Sequence, residues 1–134
     1  EWIPNPDEFN REITDSQWKA QVYRCMRRIP TWEEPSRKRG VVDLYDVSDD
    51  WLPIYDSTRI KGYYMAIGSS GNQFKNAPIA GHCMAELIEA CEKGQNHDED
   101  PVQVKTVYTG LTLNMGFYSR NREINPNSSF SVNG

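Results

Sequence analysis

The segment GYYMAIGSSGNQFKNAPIAGHCMAELIEAC, residues 62–91, carries the clearest structural pattern in the chain. Tyr63 to Ile67 is an apolar, aromatic-rich run of strand length, which predicts a short buried strand. Gly68-Ser69-Ser70-Gly71 follows it and predicts a turn, because the two glycines can adopt positive φ and let the backbone pass close to something flat. The segment therefore begins with a strand and a glycine loop.

A long amphipathic helix is predicted after the glycine loop. Asn76 or Ala77 is expected to cap it, Pro78 suits its first turn, and Gly94 is a natural end. Apolar residues recur at helical spacing and form one apolar face, namely Ile79, Cys83, Met84, Leu87, Ile88 and Cys91. The pattern predicts a helix over residues 77–92.

The order of strand, glycine loop and helix is also typical of an anion site. Free N–H groups and the positive end of the helix dipole would point at whatever lies on the loop. Lys75 adds a full positive charge there. The alternative is a plain strand-to-helix turn with a solvated lysine. The segment matches neither G-x-x-x-x-G-K-[ST] nor G-x-G-x-x-G, so it is not a nucleotide P-loop.

Two stretches of the chain resemble one protein superfamily. Gly68-Ser69-Ser70-Gly71-Asn72-Gln73-Phe74-Lys75, followed by Ala77-Pro78 and Gly81, resembles the C-terminal flavin loop of FAD-dependent amine and amino-acid oxidoreductases, the superfamily of sarcosine oxidase, glycine oxidase and D-amino-acid oxidase. Upstream, Tyr45 to Ile54 (YDVSDDWLPI) resembles the superfamily motif Y-x-x-T-P-D-x-x-P-I. The stretches stand in the superfamily's order, and the clear part of the match spans residues 40–92.

The resemblance implies a flavin site and a reaction. It assigns contacts with FAD to the loop, that is, to Gly68, Ser69, Ser70, Gly71, Asn72, Gln73 and Phe74. It assigns the catalytic role to Lys75, which would pair with the carboxylate of an amino-acid substrate. The reaction would be flavin-mediated removal of a hydride equivalent from the carbon next to an amine. Asp43 stands where members with a tethered flavin carry cysteine, so the resemblance implies non-covalent binding.

The resemblance also implies that the chain is part of a larger flavoprotein. The dinucleotide fingerprint that holds the ADP half of FAD is absent from the sequence. The chain begins at Glu1 without methionine, and only 37% of its residues are apolar, which suits a piece of a longer protein. We expect an α+β C-terminal fragment of a two-domain fold that lacks the N-terminal Rossmann unit. Its partners would be the remainder of the flavoprotein and a small amine or amino acid, and by itself it would neither retain FAD tightly nor turn over substrate.

Three segments follow from this interpretation. Residues 1–39 would form the end of a substrate-side domain, with a strand and a helix. Residues 40–94 would form the C-terminal part of the FAD-binding domain, and residues 95–134 a β-rich C-terminal extension.

The remaining patterns predict strands of a mixed sheet beside two main helices. Thr14 and Gln17 form a capping box, which with the apolar periodicity after it predicts a helix over residues 15–28. Period-two alternation and strand composition predict about four to six strands in all. Besides Tyr63 to Ile67, the segments concerned are 40–47, 51–55, 102–107 and 111–115, with Thr109-Gly110 as a turn and Phe130 and Val132 as the anchors of an edge strand.

Isolated charged residues are predicted to have structural roles. Aspartates cluster between residues 46 and 56, where turn formation is the expected role because the glycine and distal glutamate of a calcium loop are missing. Arg120 and Arg122 follow the aromatic pair Phe117-Tyr118, and the expectation is a packed aromatic with arginines at the surface.

Composition excludes several function classes. The net charge is −4 with scattered basic residues, which argues against nucleic acid. No apolar run approaches the roughly 18 residues of a membrane span. The three cysteines lack metal-ligand spacing, and neither His82 nor His97 has ligand-type neighbours at a suitable spacing. We therefore expect no metal, no disulfide framework and a reducing, cytoplasmic compartment.

Two other functions remain open from the sequence. The chain could be a complete small anion- or nucleotide-binding module that uses Gly68 to Lys75 by itself. It could also be a non-catalytic assembly piece whose exposed apolar faces mark a partner surface, including that of a homodimer.

Overall fold

The structure is a computed structural model that describes residues 2–128. The elements in that range are helix α1 (Asp15–Arg28), strands β1 (Ile54–Ser57) and β2 (Tyr64–Ile67), helix α2 (Ala77–Glu92), strands β3 (Gln103–Lys105) and β4 (Thr112–Asn114), and two 3₁₀ turns at Phe74–Asn76 and Met115–Tyr118. This composition confirms the α+β class and the bounds predicted for both helices. The chain divides into two compact units, one ending at Leu44 and the other beginning at Tyr45. The three-segment division stays a prediction.

Helix α1 forms the regular part of the first unit. Thr14 caps it as predicted, because the side-chain oxygen of Thr14 accepts the backbone N–H of Gln17 at 3.3 Å. The Nζ of Lys38 lies 2.8 Å from the carboxylate of Asp15 in the first turn. No residue of α1 is fully buried, so its apolar stripe is only partly covered within this unit.

The second unit contains two small antiparallel sheets. In the first, β1 pairs with β2 in the register Ile54↔Ile67 and Ser57↔Tyr64. In the second, β3 pairs with β4 in the register Gln103↔Asn114 and Lys105↔Thr112, around the turn predicted at Thr109-Gly110. The predicted mixed sheet is therefore wrong. Consecutive strands joined by short loops pair antiparallel, since a parallel pair needs a long crossover connection.

One core holds α2 and both strand pairs together. Its buried members are Tyr55, Cys83, Leu87, Val102, Val104 and Met115. Met84 and Cys91 pack against this cluster, but Ile79 and Ile88 are exposed, so the apolar face predicted for α2 is divided between core and surface. No helix within residues 2–128 combines the length and the apolarity needed to cross a membrane.

The positions of several predicted strands need correction. Residues 40–47 form no strand, because the backbone carbonyl of Asp46 and its side chain bind residues 68–70 and no strand pairs beside them. The strand predicted from Trp51 begins only at Ile54. Strand β2 is not buried, since Ala66 and Ile67 are exposed. The predicted edge at Phe130 and Val132 lies outside the described residues.

Two aspartates of the cluster are buried carboxylates paired with arginines, so the prediction of surface arginines at Arg120 and Arg122 is wrong. Asp50 is fully buried and forms a two-pronged ion pair with Arg122, with Nη2–Oδ1 at 2.6 Å and Nε–Oδ2 at 2.9 Å. Asp56 is fully buried as well and lies 2.9 Å from Nη1 of Arg120. Each pair spans more than 60 residues of sequence, which is why the local pattern does not reveal it. A buried carboxylate needs such a partner to offset its desolvation.

Asp56 also organises the backbone around it. It accepts the N–H groups of Ser57 at 2.6 Å and Arg120 at 2.7 Å, and the hydroxyl of Ser119 donates to it at 3.0 Å. The carboxylate thereby ties strand β1 to the segment that follows the second 3₁₀ turn.

The Asp50–Arg122 pair predicts the acid sensitivity of the fold. Hydrogen bonds from Arg122 outweigh desolvation and lower the pKa of Asp50 from 3.8 to about 2. The pKa of Asp50 is lower in the folded chain than in the unfolded chain. The ion pair therefore stabilises the fold above pH 3.8, and this contribution is lost as the pH falls towards about 2. Arg122→Ala should lower the free energy of unfolding at neutral pH by about 3–5 kcal/mol, since it leaves a buried charge unpaired. Urea denaturation between about pH 6 and pH 2 measures both effects.

Arg59→Ala is the matched control, because Arg59 is exposed. It should change the free energy of unfolding by no more than about 0.5 kcal/mol. Equal losses in the two variants would contradict the role given to the buried pair. Arg122→Lys, which keeps the charge and loses the two-pronged geometry, should fall between the two.

Candidate functional site

The two stretches that resemble the flavoprotein superfamily meet in the second unit. The Asp46 carboxylate accepts the N–H of Gly68 at 2.7 Å and that of Ser69 at 3.2 Å, and the Ser69 hydroxyl donates to it at 2.5 Å. The N–H of Ser70 donates to the backbone carbonyl of Asp46 at 3.0 Å. Segment 45–54 therefore holds the glycine loop directly.

The upstream stretch forms a turn that packs against Gly68. A Cβ added to Gly68 would lie 3.2 Å from the Cβ of Ser48, and the φ of Gly68 is +68°. A larger residue would therefore have a strained backbone and would crowd Ser48. The Ser48 hydroxyl donates to the carbonyl of Leu52 at 2.6 Å and lies 3.3 Å from Asp50. The buried Asp50–Arg122 pair thus anchors the turn on which the loop lies.

An aromatic ring of the chain covers the other glycine of the loop. A Cβ added to Gly71 would lie 2.8 Å from Cε1, Cε2 and Cζ of Tyr45, so the ring is in close contact with this glycine. The φ of Gly71 is +75°. The Tyr45 side chain nevertheless remains 58% exposed. The backbone at Gly71 does pass close to something flat, and within the chain that flat group is Tyr45.

Asp46 places a negative charge beside the first half of the loop. Burial raises its pKa, but the hydrogen bonds from Ser69 and Gly68 outweigh burial, and the pKa of Asp46 is lowered overall. Asp46 is therefore ionised at neutral pH. The loop has the geometry of an anion site, and it already holds an anion that the chain supplies.

The predicted cofactor-binding residues divide into two groups. The amides of Gly68, Ser69 and Ser70 are committed to Asp46, and the N–H of Asn72 donates to the carbonyl of Ser69 at 3.1 Å. The second group is different: within residues 2–128 no acceptor pairs with the backbone N–H groups of Gly71, Gln73 and Phe74. Only this second group can donate to a ligand while the loop keeps its shape.

Side chains tie the second half of the loop to the core. The side-chain amide of Asn76 donates to Oε1 of Gln73 at 2.9 Å, and the hydroxyl of Tyr55 lies 3.4 Å from the same oxygen. The Nε2 of Gln73 donates to Asn72 at 2.6 Å. Asn76 precedes α2 as predicted, but its side chain bonds Gln73 and makes no cap. Residues 72–76 are therefore held in place before any ligand binds.

Phe74 and Lys75 project from this ordered segment. The Phe74 side chain is 96% exposed, and Lys75 is exposed and forms no ion pair with any residue between 2 and 128. Phe74 and Lys75 line neither a groove of about 580 Å³ beside the C-terminal half of α2 nor one of about 370 Å³ near His97. The catalytic role of Lys75 stays a prediction.

His97 lies in a buried contact with Asp56 that the sequence did not predict. His97 is buried, and its Nδ1 accepts the N–H of Val102 at 3.1 Å, so the neutral ring carries its proton on Nε2. That Nε2 lies 3.6 Å from Asp56 and has no hydrogen-bond partner among residues 2–128. No sequence signal could reveal this contact, because it joins a polar loop to a strand. Residues 2–128 contain no cluster of three potential metal ligands.

No protein-family model, no curated protein and no solved structure matches this chain. The resemblance to the flavoprotein superfamily therefore depends on the residues of the two stretches quoted above.

The contact between Asp46 and the loop gives a prediction for Asp46→Ala. The amides of Gly68 and Ser69 lose a charged acceptor, so their hydrogen exchange should accelerate about tenfold, which corresponds to about 1.4 kcal/mol. Lowering the pH below the lowered pKa of Asp46 should reduce the protection of the same amides relative to their intrinsic exchange rates at that pH, because the stabilisation is lost as the carboxylate is protonated. Amide-resolved exchange by NMR measures both.

Asp49→Ala is the control for this experiment, since Asp49 is an exposed aspartate of the same segment. It should leave the exchange rates of Gly68 and Ser69 unchanged. If both variants accelerate exchange equally, general loss of stability rather than the Asp46 carboxylate explains the result.

Proposed function

We propose that this chain supplies the flavin-facing loop of an FAD-dependent oxidoreductase that oxidises a C–N bond of an amino acid or amine. The observation that carries the proposal is the contact of segment 45–54 with residues 68–71. The sequence resemblance assigns both stretches to one site, and hydrogen bonds from Gly68 and Ser69 to Asp46 join them. An accidental resemblance of two separate stretches would not require this contact.

The free backbone N–H groups are the proposed donors to the flavin ring. Gly71, Gln73 and Phe74 offer them immediately before α2, whose N-terminal end adds a positive dipole. When bound, FAD would accept the hydride equivalent, and the protein would supply orientation and electrostatics. Donors held in place before binding stabilise developing negative charge without reorganisation. Gly68, Ser69 and Ser70 would shape the loop and make no direct bond to the ring.

Lys75 is the proposed binding group for the substrate carboxylate. Its ammonium belongs to the residue directly after Phe74 and is exposed. Lysine is a point charge with a flexible stem, so it would attract a carboxylate without fixing its plane. The position next to the free amides would bring an amino acid and the flavin ring together.

The proposal requires a partner. The sequence lacks the dinucleotide fingerprint, so the ADP half of FAD would be held by the remainder of the flavoprotein. Apolar side chains exposed on the second unit, among them Ile67, Phe74 and Ile79, would be covered by that remainder. The same exposed residues also favour the second candidate, a non-catalytic interaction piece.

Titration of the full chain with FAD, followed by amide chemical shifts, tests the proposal. We expect weak binding, with a dissociation constant of roughly 0.1–1 mM, because most cofactor contacts are missing. The amides of Gly71, Gln73 and Phe74 should shift most, because they are the free donors. Lumiflavin, the ring system alone, should shift the same amides.

Two controls separate the competing functions. If ADP shifts these amides and lumiflavin does not, the chain is an anion- or nucleotide-binding module. If no loop amide responds to any of the three compounds at about 1 mM, the flavin proposal is wrong.

A lysine pair tests the carboxylate site. With FAD present, Lys75→Ala should abolish the shifts caused by N-methylglycine, because the carboxylate loses its cation. Lys61→Ala should leave them intact, since Lys61 is an exposed lysine outside the loop.

A further inference from the structure

Tyr45 and Asp46 are adjacent in sequence, and both contact the parts of the loop that a ligand would contact. The Asp46 carboxylate takes the amides of Gly68 and Ser69, and the Tyr45 ring lies against Gly71. The chain therefore presents to its own loop an anion and a flat ring. These are the same two chemical features that a flavin ring with acceptor atoms on one edge would present.

The two residues are held very differently. Asp46 receives hydrogen bonds from two backbone amides and a hydroxyl, and its own carbonyl receives another from Ser70. The Tyr45 side chain is 58% exposed, and among residues 2–128 its hydroxyl has no hydrogen-bond partner. Asp46 is thus a fixed part of the loop, whereas only van der Waals contact holds the ring of Tyr45.

The shape of the covered site limits what can replace the ring. A methyl group on Gly71 would come within 2.8 Å of three atoms of Tyr45, so the ring lies directly over the glycine. The N–H groups of Gly71, Gln73 and Phe74, which have no acceptor among residues 2–128, belong to the same short stretch of backbone and are available to acceptor atoms on the edge of a ring placed there. A ligand without a flat face would lose the contact with Gly71.

We infer that Tyr45 is a displaceable lid of the loop, which covers Gly71 in this structure and is replaced there when a flat heterocycle binds. Asp46 keeps the loop in shape during this exchange. The identification of the heterocycle as a flavin ring rests on the proposed function; the displacement of Tyr45 does not.

The lid lowers the apparent affinity for its replacement. A site that is open for only a fraction of the time has an apparent dissociation constant that is larger by the inverse of that open fraction. Tyr45→Ala should therefore tighten lumiflavin binding by about threefold to tenfold. Lumiflavin is the appropriate probe because it has the ring and no phosphate.

Tyr63→Ala is the matched control, since Tyr63 is 60% exposed in the same unit and outside the loop. It should leave lumiflavin affinity unchanged. If Tyr45→Ala binds lumiflavin no better than the unaltered chain, or more weakly, Tyr45 does not compete with the ring and the inference is overturned.

A pair of glycine variants tests displacement without any ligand. Gly71 and Gly62 share a φ of +75°, so alanine is strained equally at both, but only Gly71 has a neighbour within 4 Å of the added methyl group. If Tyr45 is a lid, its ring swings away in Gly71→Ala, and the two variants should change the equilibrium constant for unfolding to within about threefold of each other. The ring resonances of Tyr45 should move in Gly71→Ala and stay in place in Gly62→Ala.

The outcomes separate the two proposals. A much larger loss of stability in Gly71→Ala than in Gly62→Ala would show that the ring is a fixed part of the fold, and would overturn the lid whatever binds there. If no variant binds lumiflavin while the glycine pair behaves as expected, the lid stands and its assignment to a flavin fails together with the proposed function.

Discussion

A buried carboxylate must have a cation or several donors beside it, and this constraint organises the second unit. Asp50 and Asp56 are both fully buried, and each draws an arginine from the segment that follows the second 3₁₀ turn. These pairs bring residues 119–122 back onto strand β1 and the turn before it. The apolar core holds the 3₁₀ turn just before that segment, through Met115 and Tyr118.

The same constraint reaches the glycine loop through a short series of contacts. Asp50 is bound to Arg122 and to the turn that contains Ser48, and Ser48 lies against Gly68. Asp46, in the same segment, then takes the first amides of the loop. Contacts within the chain therefore hold the loop in its conformation without a ligand. Its position follows from ion pairs located elsewhere in the unit.

This arrangement changes what the loop can do chemically. A loop with all its amides free would bind any small anion, whereas this loop has an internal anion on its first half and free donors only on its second half. The Asp46 carboxylate disfavours a second anion beside the first half of the loop, whereas the free donors of the second half suit a group with acceptor atoms. A ring carbonyl suits these donors better than a phosphate does, which supports a flavin ring over a nucleotide phosphate in the proposed function.

The sequence by itself determined the two helices, the turn at Thr109-Gly110 and the α+β class, because these follow from caps, periodicity and glycine, which act over a few residues. Only the tertiary structure decided that Asp46 fills the first half of the loop and that Asp50 and Asp56 are buried. It likewise decided that Tyr63 to Ile67 pairs as a half-exposed strand. Those outcomes depend on partners tens of residues away, and no local pattern specifies which carboxylate a distant arginine or amide will meet.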